Sequence, residues 1–451
     1  MYDITVQDVL SNTSCKLLIG DKNKILGKCF INSKETIKGG TFIGIKGNTD
    51  GSLYYKDAFD NGCDICILNK IYDLDLKGYD DKTVLIAEDT IKVLHELASY
   101  KRSLFKGKVI GITGSVGKTS TKELISNVLE TKYKVLKTIG NKNSQIGLPL
   151  SILNLKDEDV MVIEMGMSYR GEMKRLSNIL KPDIAVITNI LSSHIGNLDN
   201  RSNILKEKLH ITDYINNGNI IINNDNDLLY SWGLNNKCIK IGINNKSDIM
   251  ASNIKEGIYT TFDIDNLNNI KIHGPIDYVY NALIAYKIGN MFNIDNELIK
   301  ESISNYINVS HRLEVIKLKD ITIIDDTYNS CYESVKAALK YLSNYDTRRI
   351  AILGDILELG NKAKEIHKSI AKDIMNNDID LVITIGKYSK HINKELRRLG
   401  MKKNNMKHFK NEALSRTYIN NNIKANDTIL VKASNGIGLD KLVNYIISLH
   451  K

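Results

Sequence analysis

The strongest chemical signal in the chain is the segment KVIGITGSVGKTS at residues 108–120. An apolar run ends in a glycine-rich turn, as in a phosphate-binding loop between a strand and a helix. Lys118 supplies a compact positive charge, Thr119 offers a hydroxyl to Mg²⁺, and the glycines let backbone N–H groups converge on phosphate oxygens. The common pattern has glycine where this chain has Ile112, so the loop is a variant. We predict a nucleoside triphosphate site formed by Gly114, Ser115, Gly117, Lys118, Thr119 and Ser120.

Two further polar side chains follow apolar strands of the same region. Glu164 ends the run VMVIE, and His194 comes a few residues after the run DIAVITNI. Open α/β sheets place ligands at the carboxyl ends of their strands, so we expect both side chains near the phosphates. Mg²⁺ prefers oxygen ligands and is usually held by one or two carboxylates, which makes Glu164 a candidate ligand. The alternative for Glu164 is a solvated residue at a strand end, and His194 taken alone does not identify a ligand.

Lys208 has an unusual position in a predicted helix over residues 204–215. The helix has an apolar stripe made of Ile204, Leu205, Ile211 and Ile215. At 3.6 residues per turn Lys208 falls in the middle of this stripe, whereas Lys206 and His210 point away from it. A buried ammonium needs a partner or must lose its charge. One possibility is that Lys208 is a carbamate, formed when the neutral amine captures carbon dioxide and becomes a carboxylate-like metal ligand. The alternative is that its side chain extends to solvent at the edge of the helix.

Alternating strand and helix patterns divide the chain into three predicted domains. Its 451 residues are too many for a single core. Residues 1–82 predict a small α/β module, and residues 83–310 predict a strand, the phosphate loop, a helix and a parallel, helix-covered sheet. Residues 311–451 predict a Rossmann-like unit, because four apolar strands are each followed by a helical segment. The predicted fold class is therefore α/β.

The composition argues against several classes of function. The net charge of +10 comes from 62 basic and 52 acidic residues that are scattered along the chain, which favours small polyanionic ligands over nucleic acid. No stretch is apolar for about 18 residues, and the start carries no signal pattern, so we expect a cytosolic protein that is not embedded in a membrane. Cys63 and Cys66 read as part of a buried strand, in which residues three apart point to opposite faces, so we expect no zinc or redox role.

Several segments together resemble the Mur ligase family over nearly the whole chain. They are TGSVGKTSTKE at 113–123, GNKNSQIGLPLSIL at 140–153, EMGMSYRGEMKRLS at 164–177, KPDIAVITNI at 181–190, HRLE at 311–314, DDTYNS at 325–330 and LGDILELG at 353–360. The GNxNxxxGxP and EMGMxxxGE patterns are the most specific. The chain departs from the family at Asp277 and Tyr278, which replace His-Asn, and at residues 193–196, where SHIG replaces AHLE.

The resemblance implies an ATP-dependent amide ligase with a central P-loop ATPase domain and a C-terminal Rossmann-like domain. The first domain would hold a uridine nucleotide, the central domain ATP and the last domain the incoming amine. The sequence is most similar to family members that join D-alanyl-D-alanine to UDP-N-acetylmuramoyl-tripeptide through an acyl phosphate, in the synthesis of the peptidoglycan precursor. The implied partners are these two small molecules and no nucleic acid, and we expect a monomer.

The resemblance also implies roles for individual residues. Two Mg²⁺ ions would be held by Thr119, Glu164, His194 and a carbamylated Lys208. Arg312 would reach the ATP phosphates, Asn281 would line the adenine pocket, and Asn329 would contact the nucleotide. The implied catalytic residues are Lys118, Glu164, His194, Lys208 and Arg312.

Two alternative functions stay open on the sequence. One is a paralogous Mur-type ligase with a different acceptor or amine. The other is a nucleotide-binding scaffold that has lost ligation. The sequence also leaves open whether the third residue of the tripeptide is diaminopimelate or lysine.

Overall fold

Three β-sheets, each covered by helices, follow one another along the chain. The structure is a computed structural model, and it describes residues 3–70, 74–216 and 218–450. Within these residues the sheets have five, nine and six strands. Both the second and the third sheet contain runs of parallel strands connected by helices, which confirms the predicted α/β class.

The first sheet has the strand order β1-β5-β4-β3-β2. Its strands are β1 (Lys16–Ile19), β2 (Cys29–Phe30), β3 (Thr41–Ile43), β4 (Ile65–Asn69) and β5 (Thr83–Ala87). The accompanying helices are α1 (Val6–Asn12), α2 (Tyr55–Asp60) and α3 (Thr90–Leu104). Strand β5 pairs with both β1 and β4, so the predicted boundary after residue 82 cuts this sheet and is wrong. In the sequence, the apolar run of β5 could equally be the first strand of the next domain. Its pairing with β1 and β4 assigns it to the first domain.

The two cysteines of the first domain also differ from the prediction. Strand β4 begins at Ile65, so Cys63 lies in the turn before the strand and the alternation of a strand does not apply to it. The two buried thiols of Cys63 and Cys66 lie together, with their Sγ atoms 3.6 Å apart. The prediction that they point to opposite faces was therefore wrong.

The second sheet has the order β14-β13-β12-β11-β10-β9-β6-β8-β7. Its strands are β6 (Lys108–Thr113), β7 (Val135–Lys137), β8 (Val160–Glu164), β9 (Ile184–Ile187), β10 (Ile220–Asn223), β11 (Ile239–Gly242), β12 (Ile249–Lys255), β13 (Tyr259–Ile264) and β14 (Leu267–His273). Its helices are α4 (Lys118–Glu130), α5 (Gly147–Leu153), α6 (Glu172–Leu180), α7 (Ile195–Leu198), α8 (Arg201–Leu209), α9 (Asp227–Gly233), α10 (Asp277–Met291) and α11 (Asn296–Ser304). The strands from β7 to β12 are parallel, and β13 and β14 add an antiparallel edge.

The topology of this sheet positions the candidate site. The chain leaves β6 toward β7 on one side of the sheet, whereas it leaves β9 toward β10 on the other side. Strands β6 and β9 are neighbours, so their carboxyl ends form a topological switch point, where open α/β sheets bind ligands. The phosphate loop follows β6 at this point.

The third sheet has the order β15-β16-β20-β17-β18-β19. Its strands are β15 (Glu314–Lys317), β16 (Thr322–Asp326), β17 (Arg349–Gly354), β18 (Leu381–Ile385), β19 (Met406–Phe409) and β20 (Thr428–Lys432). Its helices are α12 (Tyr332–Leu342), α13 (Ala363–Asn376), α14 (Lys390–Arg398), α15 (Glu412–Asn422) and α16 (Asp440–His450). Strands β16 to β20 are parallel to one another, as in a Rossmann-like unit, and β15 pairs antiparallel with β16.

None of the helices in the described parts of the chain has both the length and the apolar character needed to cross a membrane.

Candidate active site

The phosphate loop fills residues 114–117 and depends on two glycines. Gly114 has a φ of +152°, and a β-carbon there would lie 1.9 Å from Thr188 Oγ1. Gly117 has a φ of +81° and begins α4. Ile112, which stands where the common pattern has glycine, is buried in β6. The loop is shorter than the common form because the strand extends through that position, and Gly114 allows its close approach to β9.

Residues that follow β9 hold the loop in place. The backbone N–H of Ser115 donates to the carbonyl oxygen of Asn189 (3.0 Å), and the N–H of Val116 donates to Asn189 Oδ1 (2.9 Å). Thr188 Oγ1 donates to the carbonyl oxygen of Val116 at 2.6 Å. At the topological switch point, hydrogen bonds therefore join the segment after β6 to the segment after β9.

Lys118 folds back over the loop. Its Nζ atom donates to the carbonyl oxygen of Gly114 at 2.9 Å and approaches that of Ser115 at 3.5 Å. Burial lowers the pKa of Lys118, an effect that the charge of Glu164 opposes and that of Arg312 reinforces. The ammonium therefore lies at the mouth of the loop, with a second positive group near it.

Thr119 and Glu164 form an oxygen pair beside the loop. Thr119 Oγ1 donates to Glu164 Oε2 at 2.8 Å, and Asn143 Nδ2 donates to Glu164 Oε1 at 2.7 Å. Glu164 is almost completely buried, and both of its carboxylate oxygens accept hydrogen bonds from neutral groups. Its charge also opposes the lowering of the pKa of Lys118 and of Lys208. A buried carboxylate next to a hydroxyl provides the oxygen donors that a hard cation such as Mg²⁺ requires. The residues present therefore fit the predicted magnesium site.

Lys208 lies on the buried face of its helix, as predicted. Helix α8 ends at Leu209, where a 3₁₀ turn (His210–Thr212) continues the chain. Lys208 is 1% exposed, and its Nζ atom donates to the carbonyl oxygen of Gly114 at 3.0 Å. Burial and the nearby charge of Lys118 together lower the pKa of Lys208 well below its usual value. Lys206, by contrast, is exposed.

Lys208 has a buried neighbour that the sequence prediction missed. Glu207 also lies on the buried side of α8, where its carboxylate accepts a hydrogen bond from the Met173 N–H at 3.0 Å. The predicted buried face was defined by apolar residues. An acidic residue such as Glu207 does not belong to that pattern, so its burial could not be predicted from it.

His194 lies at the start of α7, in the left-handed backbone region with a φ of +62°. Its Nδ1 atom contacts the carboxylate of Glu358, which belongs to the third domain. The Ser168 hydroxyl is 3.5 Å from the same nitrogen. The imidazole thus connects the loop after β9 to the segment between β17 and α13.

Arg312 lies in the segment that connects the second and third sheets. Its guanidinium stacks on Tyr328, with Cζ 3.8 Å from the ring centroid. Its Nε atom is buried and has no hydrogen-bond partner among the described residues. Next to it, His311 Nδ1 lies 2.7 Å from Asp325 Oδ2, which fixes the connecting segment to β16. A buried donor without a partner is costly, so this arrangement is suited to an anionic ligand.

Asn281 and Asn329 reach the same region from different domains. Asn281, on α10, accepts a hydrogen bond from Thr121 Oγ1 at 2.9 Å, and its Oδ1 atom is close to Gly117. Asn329 accepts from the Ser330 N–H through its side chain and from Lys432 Nζ through its carbonyl oxygen. Their predicted contacts with adenine and nucleotide stay predictions.

A cavity of about 650 Å³ collects most of the predicted residues at the junction of the second and third domains. The predicted residues in its wall are Ser115, Gly117, Lys118, Ser120, Glu164, His194, Asn281, Arg312 and Asn329. Gly114, Thr119 and Lys208 lie behind this wall, where each is hydrogen-bonded to a loop or wall residue. An adjoining cavity of about 250 Å³ also contains His194 and is otherwise lined mainly by the third domain.

Sequence reasoning missed three other parts of this site. Asn143, the partner of Glu164, lies in the quoted segment GNKNSQIG, so the motif was recognised but the residue was not assigned. Lys432 is buried and donates to Asp326 Oδ2 at 2.6 Å in the cavity wall. Glu333 accepts hydrogen bonds from the hydroxyl (2.7 Å) and the N–H (3.2 Å) of Ser192. The last two contacts cross between distant segments and leave no local signal.

Two domain families match the chain. Residues 112–289 match the Mur ligase middle domain, and residues 311–435 match the family described as "Mur ligase, glutamate ligase domain". Among similar proteins, the UDP-N-acetylmuramoyl-tripeptide–D-alanyl-D-alanine ligase of Bacillus subtilis (strain 168) is 33% identical over 416 residues, which cover 90% of each chain. The ligase of the same name from Rickettsia prowazekii (strain Madrid E) is 31% identical over 432 residues, covering 92% of this chain and 94% of the other.

Solved structures agree with these matches. MurF from Acinetobacter baumannii aligns with a TM-score of 0.86 at 23% identity and covers 99% of both chains, a likeness that establishes the fold. The MurF ligase from Thermotoga maritima in complex with ADP aligns with a TM-score of 0.80 at 25% identity, covering 93% of this chain and 97% of the other.

Proposed function

The chain belongs to the Mur ligase family, and we propose that it uses ATP to join D-alanyl-D-alanine to UDP-N-acetylmuramoyl-tripeptide. The observation that carries the proposal is the convergence of three elements on one cavity. They are the phosphate loop with Lys118, the Thr119–Glu164 oxygen pair and Arg312 from the interdomain segment. The reaction would serve peptidoglycan precursor synthesis in the cytoplasm.

The first of the two chemical steps brings two anions, a carboxylate and the triphosphate, close together. In the first step a carboxylate oxygen of the tripeptide attacks the γ-phosphorus of ATP, which forms an acyl phosphate and releases ADP. In the second step the dipeptide amine attacks the acyl carbon, and inorganic phosphate leaves as the amide forms and the amine loses a proton. Lys118 and Arg312 are the positive groups placed to reduce the repulsion in the first step.

Mg²⁺ would be held by Thr119 Oγ1, Glu164, His194 and Lys208. When bound, magnesium would neutralise phosphate charge and orient the γ-phosphoryl group. The protein contributes the rigidity of this site, because Glu164 is fixed by hydrogen bonds from both Thr119 and Asn143.

Lys208 would enter this site as a carbamate. Its amine is buried, hydrogen-bonded to the loop at Gly114, and near the positive charge of Lys118. Both burial and the neighbouring charge favour the neutral amine, which is the form that captures carbon dioxide. The carbamate would be an anion near the ammonium of Lys118, so it would add an attraction that a neutral amine lacks.

The incoming dipeptide would occupy the smaller cavity. This space adjoins the larger cavity, with which it shares His194, and the third domain supplies Ser330, Ser434 and Asn435 to its wall. The Ser330 hydroxyl is buried and has no hydrogen-bond partner among the described residues, so it is available to a ligand. An amine bound here would lie next to the position of the acyl phosphate.

The function is tested by measuring phosphate release and product mass together. With ATP, Mg²⁺, UDP-N-acetylmuramoyl-tripeptide and D-alanyl-D-alanine, we expect phosphate release that requires both substrates and a product equal to their combined mass less one water. Tripeptides with diaminopimelate or lysine at the third position, and a panel of other amines, define the specificity. Preference for another acceptor or amine would indicate a paralogous ligase, and nucleotide binding without phosphate release would indicate a scaffold.

A further inference from the structure

A segment of the third domain packs tightly against the loop that carries His194. The N–H of Gly196 donates to the carbonyl oxygen of Glu358 at 3.0 Å. A β-carbon at Gly196 would lie 2.6 Å from that oxygen and 2.7 Å from the Gly360 nitrogen. These are backbone atoms, which cannot move aside as a flexible side chain can. This contact between the two domains therefore requires glycine at position 196.

The requirement at Gly196 comes from the other domain and not from its own backbone. The residue lies in helix α7, outside the left-handed region, so its local conformation suits alanine. Residues 358–360 supply all three nearest atoms to a β-carbon at this position. An added methyl group would thus oppose domain closure while leaving the fold of the central domain intact.

The side chain of Glu358 completes this contact. Its carboxylate meets Nδ1 of His194, two residues before Gly196. His194 and Glu358 both have left-handed backbones, with φ values of +62° and +60°. Residues other than glycine rarely adopt this conformation, and it persists where surrounding contacts hold it, often at functional sites. The two strained residues face each other across the domain boundary.

A second contact holds the same loop to the third domain. Glu333, at the start of α12, accepts hydrogen bonds from both the hydroxyl and the N–H of Ser192. The loop is therefore fixed on one side by Glu333 and on the other by Glu358. His194 lies between these two points.

We propose that Glu358 is a positioning residue, which orients the His194 imidazole only when the third domain has closed on the central domain. A carboxylate on Nδ1 places the ring proton there, so Nε2 becomes the acceptor nitrogen. Nε2 has no hydrogen-bond partner among the described residues, and His194 lines both cavities. Closure thus prepares the imidazole as a ligand at the moment when the amine site is assembled. The identity of the ion that Nε2 receives and the existence of the amine site rest on the proposed function.

The tautomer of His194 is the direct test. Selective ¹⁵N labelling of the histidines, with His194→Gln to assign the signal, distinguishes a proton on Nδ1 from one on Nε2. We expect the Nδ1–H form in the parent and in Glu358→Gln, because an amide oxygen still accepts this hydrogen bond. In Glu358→Ala we expect a mixture of both forms. An unchanged tautomer in Glu358→Ala would overturn the proposal.

Metal affinity provides a second readout. With Mn²⁺ as the probe in the presence of ADP, followed by electron paramagnetic resonance, Glu358→Ala should bind about tenfold more weakly, in the range of partners that orient a ligating histidine. Glu358→Gln should restore most of the affinity. Equal losses in Glu358→Ala and Glu358→Gln would contradict orientation through a hydrogen bond and would indicate that the carboxylate charge itself matters.

Gly196→Ala tests the dependence on closure. The distance between spin labels on α11 and α15 should increase in this variant, and its His194 tautomer should resemble that of Glu358→Ala. Gly47→Ala is the matched control, since its added methyl group would have no neighbour nearer than 3.9 Å. An unchanged label distance in Gly196→Ala would overturn the proposal. Failure of ligation in the parent, with the tautomer as expected, would reject the proposed function and leave the positioning role intact.

Discussion

Lys208 and Gly114 are joined by a 3.0 Å hydrogen bond that connects helix α8 to the first residue of the phosphate loop, 94 positions earlier in the chain. Lys118 donates to the same carbonyl oxygen from the other end of the loop. Two lysines therefore share one acceptor, and the charge of Lys118 makes the charged form of Lys208 less favourable. This pairing explains why a carbamate at Lys208 is chemically reasonable.

Lys208→Ala should be nearly inactive in ligation. The change removes the group that we propose as a carbamate ligand, and short carboxylic acids such as formate should partly restore activity by occupying the vacated space. Phosphate release with and without added formate measures both effects. Lys206→Ala is the matched control on the exposed face of the same helix, and it should leave turnover near the parent value. Full turnover in Lys208→Ala would contradict the metal site proposed here.

Lys118→Ala should reduce ligation by at least about a hundredfold, because we propose that its ammonium neutralises charge on the transferred phosphoryl group. The variant should fold, since the hydrogen bonds of the Lys118 side chain to the described residues go to carbonyl oxygens of its own loop. Steady-state phosphate release is the measurement, and Lys106→Ala, at an exposed position, is the control. Activity within threefold of the parent would contradict the assignment of the loop.

Arg312→Lys should fold and lose most of its activity. A guanidinium can stack on Tyr328 and present a planar fork to phosphate, and an ammonium can do neither. Turnover and the KM for ATP should be measured together, because loss of a phosphate contact affects the transition state as well as binding. Unchanged kinetics would place Arg312 outside the site.

Lys432→Met should lower the free energy of unfolding by about 3 kcal/mol, since it leaves the carboxylate of Asp326 without its buried partner. The double variant with Asp326→Asn should recover part of this loss. Denaturant unfolding measures the effect, and Lys441→Met, at an exposed position, is the control. A Lys432→Met variant as stable as the parent would show that the ion pair does not hold β16 and β20 together.

Features that depend on neighbouring residues could be predicted from the amino-acid order alone. The glycine and lysine spacing at residues 114–118 predicted the phosphate loop, because the turn geometry is local. The helical period predicted that Lys208 is buried and Lys206 exposed. Glu164 was identified because a strand fixes which residue stands at its carboxyl end. The α/β class followed from the same alternation of periods.

Contacts between segments that are distant in the chain could not be predicted in this way. Strand β5 joined the first sheet, and the thiols of Cys63 and Cys66 met because their strand begins later than its apolar run suggests. The partners of Glu164 and His194, which are Asn143 and Glu358, come from other segments of the chain. Such contacts depend on how strands pair and how domains pack, and burial and shape across the whole molecule determine both. A local sequence pattern therefore cannot predict them.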